Sequence, residues 1–233
     1  AHSGLPRLPL SGQLSPAEEG EWFFRSVQFF NGGPFNPNPV TCQTCHTDGA
    51  SDNITVGRQP QPMFGLGSTG PYFWQGTSTN LLGIIRGTFT HHGKIGGTIM
   101  NNADFRMQSF LSTFAAPTSV YLGPNGVMSS AAQTGKALFE GAGGCTTCHA
   151  APNFIPLPPN PLTISGGVGT GLAPVNVPTL RGVWATAPYL HDGRAATLRE
   201  VFLHDAPADV HSNLTQGFTD AELDQLVAYL NSL

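Results

Sequence analysis

Cys145-Thr146-Thr147-Cys148-His149 is matched in kind by Cys42-Gln43-Thr44-Cys45-His46, and these two stretches decide how the chain folds. Two thiols three residues apart, with an imidazole directly after the second, suit covalent attachment of a c-type haem. The thiols of each pair lie about one helical turn apart, so both sulfurs reach the vinyl groups on one porphyrin edge and the histidine lies under the iron. A zinc site built from two such pairs normally spaces them by roughly 15 to 20 residues. Here the second pair begins 103 residues after the first. A redox Cys-x-x-Cys needs no following histidine and accompanies a βαβ pattern. The two motifs use all four cysteines of the chain. Two haem c groups are therefore expected, attached through Cys42, Cys45, Cys145 and Cys148, with His46 and His149 as proximal iron ligands.

Composition supports a fold wrapped around large cofactors. Of 233 residues only 10% are charged, against about 25% in ordinary soluble proteins. The 29 Gly and 20 Pro would suit disorder, but 39% hydrophobic residues and 15 Phe do not. Net charge is −4 with no basic run, so no footprint for nucleic acid is present. No apolar stretch approaches the roughly 18 to 20 residues of a membrane span. The chain opens at Ala1 without a charged-then-apolar leader, so a signal peptide is expected to have been removed.

Read outward from the two motifs, one pattern occurs twice. Residues 1–13 form a Pro- and Gly-rich arm. The first unit, 14–116, opens with Ser15-Pro16-Ala17-Glu18, a capping box with proline in the first turn, and continues through Phe23, Val27 and Phe30. A short helix over Asn80 to Thr90 leads to His91 and His92. A last helix from Asn101 or Asn102 carries Met107, Phe110, Leu111 and Phe114 on one face. Residues 117–127 are the linker. The second unit, 128–233, starts its helix at Ser130-Ala131-Ala132-Gln133 and ends in a helix capped by Thr219 and Glu222, with Leu223, Leu226, Val227 and Leu230 as its buried stripe. Pro188 to Gly193 falls on Pro71 to Gly76 at an offset of 117, and Thr197-Leu198 falls on Asn80-Leu81. Tandem duplication accounts for this, and the fold class expected is mainly α: two loop-rich units resembling the class I cytochrome c domain.

From Val177 the run Val-Pro-Thr-Leu-Arg-Gly-Val-Trp-Ala-Thr-Ala-Pro-Tyr-Leu-His-Asp-Gly-Arg-Ala-Ala-Thr-Leu-Arg-Glu-Val resembles the C-terminal haem domain of the bacterial dihaem cytochrome c peroxidases and their relatives of the methylamine-utilisation type. That resemblance implies export, hence a periplasmic or extracellular location. It also implies a peroxide-reducing first haem fed by the second. Trp74 falls on the family tryptophan expected between the haems. The family's catalytic Gln and Glu, however, fall on Ile84 and Lys94, and isoleucine cannot move the proton that peroxide cleavage needs. Calcium occurs between haem domains in such peroxidases, but no dense carboxylate cluster supports it here.

The distal ligands follow from the same comparison. In that fold the sixth ligand comes after the attachment motif, and Met63, Met100, Met107 and Met128 all precede Cys145. The family's ligand position falls at or beside Asp205, so His204 leads for the second haem and His211 follows. For the first haem His91 and His92 lead, with Met100 or Met63 behind them. His191 is read as structural, since its counterpart Trp74 cannot ligate, and Tyr189, with Tyr72 as counterpart, as packing or a hydrogen bond to haem. Arg181 and Arg194 are candidates for the haem propionates, because guanidinium matches carboxylate in fork geometry.

Two functions remain. The first is a dihaem c-type cytochrome that carries electrons past Trp74 or Trp184 between redox partners such as another cytochrome, a cupredoxin or a dehydrogenase. The second is a dihaem peroxidase or related oxidase, with His91 or His92 as its acid and base and Trp74 as inter-haem relay.

Overall fold

Ser15 starts the first helix as its sequence predicts. Its hydroxyl accepts from the Glu18 backbone N–H, while the Glu18 carboxylate accepts from the Ser15 N–H at 2.8 Å. The computed structural model describes residues 14–27, 40–51, 59–91, 102–155, 163–164, 175–203 and 210–233. Within them α1 (Pro16–Ser26) buries Phe23 and Phe24, and Val27 closes it as C-cap; Phe30 lies outside the described residues. The first attachment motif forms α2 (Cys42–Cys45). Helix α3 (Leu81–His91) buries Leu81, Ile85 and Phe89 at i, i+4 and i+8, and α4 (Ala103–Thr113) buries Met107, Phe110 and Leu111. With Phe114 and Tyr72 packed against them, these side chains make one core.

The second half repeats the sequence of elements. Helix α5 (Ser130–Glu140) starts at Ser130 as the sequence predicts, with Ser129 as its cap. Ser129 has the extended backbone that brings its hydroxyl to the Ala132 N–H at 3.1 Å, and Ser130 is already helical. Then follow α6 (Leu198–Leu203), α7 (Val210–Leu214) and α8 (Asp220–Asn231), the last with the expected Thr219–Glu222 capping box. Leu223, Leu226, Tyr229 and Leu230 of α8 join Phe139, Leu198 and Phe202 in a second core. A two-residue antiparallel pair, β1 (Thr163–Ile164) and β2 (Val175–Asn176), is the one sheet among the described residues.

In each half the first and last helices cross at a glycine. A Cβ on Gly20 would stand 2.1 Å from the Arg106 carbonyl oxygen, and one on Gly135 would stand 1.9 Å from that of Gln225. The helix axes approach so closely that only a bare Cα fits.

The offset of 117 is visible in the backbone. Gly65 and Gly182 both take φ near +70°, as do Phe73 and Leu190. The Gly65 N–H donates to Phe114 O at 2.9 Å and the Gly182 N–H to Leu233 O at 3.1 Å, so each glycine ties a loop to the end of its own half's last helix. Tyr72 bridges to Ser78, and Tyr189 bridges to Ala195. The halves also clasp each other symmetrically. Gln59 N–H donates to His191 O at 2.8 Å, and its counterpart Asn176 donates to Trp74 O at 2.7 Å.

Candidate haem centre

Each attachment motif closes a single turn. The His46 N–H donates to Cys42 O at 2.9 Å and the His149 N–H to Cys145 O at 2.8 Å, so in both motifs the histidine closes a turn on the first cysteine, although the first turn is α-helical and the second is 3-10. None of the four cysteines is in a disulfide. Burial pushes Cys42 up to about 12 and Cys145 up to about 11. Arg25, almost fully buried, holds the first turn in place. Its guanidinium donates to Glu21 of its own helix at 2.9 Å, to Asp48 at 2.8 Å and to Gln43 at 3.2 Å, pinning α1 to α2. The sequence reading missed this residue, which carries no motif of its own.

Around the second motif the chain encloses a cavity of about 220 Å³. Cys145, Cys148 and His149 line one side, and Val183, Leu198, Phe202, Leu226 and Leu230 supply apolar walls. His149 Nδ1 lies 3.1 Å from the Phe154 carbonyl oxygen. A carbonyl can only accept, so Nδ1 carries the proton and Nε2 keeps its lone pair, the tautomer a metal ligand requires. Two thiols, a nitrogen lone pair and an apolar slot fit haem c.

Burial lowers the His149 pKa to about 4; the Phe154 carbonyl opposes this, and charge on nearby His211 adds to it. The unfolded chain, with histidine near its usual 6.5, therefore binds the extra proton first as pH falls. In the chain without haem this contribution to stability is complete above 6.5 and lost progressively toward 4. Iron on the same lone pair would move the transition lower still. Acid titration of the second centre's absorption is thus expected to show no change near pH 6.5, and a transition there would contradict the assignment.

The other candidate residues divide clearly. His211, on α7, lines the cavity with His149, and its ring meets Phe202 edge-on at 6.4 Å. His204, His92 and Lys94 lie outside the described residues, and His91 is the last residue of α3. Ile84 stands half-buried on α3. Of the methionines, Met63 packs on the first core and Met107 lies inside it, while Met100 is outside the described residues. Trp74 reaches across from the first half to line the second half's cavity. Trp184 does not line it, and packs edge-to-face on Tyr121 of the linker at 6.2 Å. Arg181 donates through Nε to Pro152 O at 3.1 Å, and Arg194 pairs with Asp192 at 3.0 Å; neither lines the cavity. Tyr189 lines it, with its hydroxyl pushed up to about 12 by burial. The Tyr72 hydroxyl donates to Leu66 O at 2.7 Å. His191 is 2% exposed and lines the cavity beside Trp74, which the sequence did not reveal.

Known proteins resemble this chain in sequence or fold. Residues 176–208 match the RoxA-like, cytochrome c-like family. The methylamine utilization protein MauG of Methylorubrum extorquens is 25% identical over 231 residues, and the match takes in 76% of this chain. The chain spans only 65% of that relative's length. Among solved structures, hydrazine synthase from Kuenenia stuttgartiensis superposes with a TM-score of 0.71 at 17% identity, over 97% of this chain and 90% of its own. The diheme peroxidase BthA from Burkholderia thailandensis E264 does so with 0.61 at 17%, over 92% and 84%. At such identities the structures establish the fold: mainly helical, loop-rich and of the dihaem peroxidase kind. In sequence and fold the chain resembles the MauG-like dihaem cytochrome c peroxidase superfamily, and its cofactors are two c-type haems.

Proposed function

We propose that this chain is a dihaem c-type cytochrome that carries electrons between redox partners outside the cytoplasm, one haem in each of the units 14–116 and 128–233. The carrying observation is that His211 lines the same cavity as His149, so two imidazoles are available to the second centre. Haem c supplies a one-electron ferric/ferrous couple, and a second imidazole lowers its potential relative to a thioether. His149, fixed by Phe154 O, and His211 on α7 would hold the iron, His211 in preference to His204, which leads on sequence alone, and together they would leave a small oxidant no open site. For the first centre His46 pairs with His91 or His92. Trp74 lies between the halves and relays the electron. With so few charges, docking of a cytochrome, cupredoxin or dehydrogenase rests on apolar and polar contact rather than steering. No helix among the described residues is long and apolar enough to cross a membrane.

The resting ferric spectrum tests this reading. Two low-spin haems inert to cyanide and peroxide are expected. His211→Ala should turn one centre high-spin and open it to cyanide while leaving attachment intact. If His204→Ala does this instead, the ligand is wrong; if neither does, the second centre is not bis-imidazole.

The overall fold of a diheme peroxidase favours a second reading, hydrogen peroxide reduction at the first haem. There His91 or His92 would act as acid and base in place of the absent Gln and Glu. A high-spin ferric band that reacts rapidly with peroxide would select it.

A further inference from the structure

The repeat brings two of its own equivalent residues into contact. Trp74 and His191 occupy the same position in the two halves, and their rings meet edge-to-face, with centroids 6.1 Å apart and planes at 83°. The surrounding hydrogen bonds lock both. Trp74 Nε1–H donates to Gln59 O at 2.7 Å, Gln59 N–H donates to His191 O at 2.8 Å, and Asn176 N–H donates to Trp74 O at 2.7 Å. A Cβ on Gly193, next but one to His191, would stand 2.6 Å from Gln59 Nε2, so the two turns interlock without slack. Asp192, paired with Arg194, lies 4.0 Å from His191 Nε2.

The indole is therefore fixed along one edge by its N–H. That bond alone leaves the ring free to tilt about it. The imidazole of His191 stands against the ring at a right angle and stops that tilt, and both rings line the cavity of the second haem. We propose that His191 is a positioning residue for inter-haem electron transfer: its ring edge holds the Trp74 indole in the orientation that couples the two centres. The step moves one electron from the reduced to the oxidised centre, and no bond forms or breaks. This rests on the reading of Trp74 as relay.

The experiment uses the diferric holoprotein. A photoreductant delivers less than one electron per molecule, and redistribution between the haems is followed by absorption in the wild type, His191→Leu, His191→Phe and Trp74→Leu. His191→Leu is expected to keep both haems and their spectra and to slow redistribution about tenfold, as expected when a group held for transfer is displaced. His191→Phe restores the ring edge and should return the rate to within about twofold of wild type. The near-ultraviolet circular dichroism of fixed tryptophan should weaken in the leucine variant and recover in the phenylalanine one. An unchanged rate in His191→Leu, or a phenylalanine variant as slow as leucine, overturns the proposal. If His191→Leu fails to fold, His191→Met, which also lacks the ring edge, takes its place under the same criterion. Trp74→Leu separates this outcome from failure of the relay reading: a wild-type rate there removes the relay itself, whereas a slow one with an unaltered His191→Leu removes only the positioning role.

Discussion

Replacing Cys145 and Cys148 together by serine is expected to reduce covalently bound haem from two per chain to one. The two thiols lie on one turn beside a cavity whose walls are apolar, and a buried hydroxyl adds to no vinyl group where a thiol does. Without the thioethers the cofactor is held by iron–nitrogen bonds and apolar contact alone, and extraction with acid and organic solvent removes it. Denaturing gel staining for haem, the pyridine haemochrome assay and whole-protein mass each report the change. Cys42 and Cys45 changed together should give the same loss at the other centre. A double variant that retains both haems through denaturation would show that the motifs do not attach them.

The second large effect is on stability. Gly135→Ala places a methyl group where the Gln225 carbonyl oxygen stands 1.9 Å away and the carbonyl carbon 2.5 Å away. Both belong to the backbone of α8, so no side chain can swing aside, and the two helices must separate. Parting them loosens Phe139 from Leu226 and Tyr229 in the core that faces the cofactor. Overpacking of this kind costs about 3 kcal/mol, the upper end of its usual range. Gly87→Ala is the control. Gly87 sits in α3 with nothing within 4 Å of the added carbon, so the change only raises helix propensity and should stabilise by up to about 1 kcal/mol. Guanidinium unfolding of the holoprotein separates the two. Equal midpoints would mean that the crossing is not tight in solution.

Much of this molecule is legible in its sequence because much of it is local. Capping boxes at Ser15 and Thr219 depend on residues three apart, and helix faces depend on periodicity; both appear where expected, except that on α8 Tyr229 rather than Val227 completes the buried stripe. The cap of α5 shows the limit: the sequence marks the helix start at Ser130, while the cap itself, Ser129, is fixed by the extended backbone that brings its hydroxyl to the Ala132 N–H. Gly20 and Gly135 were silent for a different reason: a glycine inside a helix has no signature until the helix that crosses it is placed. Arg25 is similar, since its partners Gln43 and Asp48 come from beyond the end of its helix. Gln59 and Asn176 stand 117 residues apart, the repeat offset already read from the proline turns, and could have been found by extending it backward.

By itself the sequence pointed to two haems, to the two Cys-x-x-Cys-His motifs that would hold them, and to one supersecondary pattern used twice, because each of these depends on spacing along the chain. Tertiary structure alone decided that His211 shares a cavity with His149, that Trp74 leaves its own half to line the other's cavity, and that it meets its own repeat counterpart there. Those are meetings between residues tens to more than a hundred positions apart, brought together by helices packed through bare glycine and by turns that exchange hydrogen bonds. Spacing carries no trace of them, since the free energy that selects them arises only when the two halves are in contact.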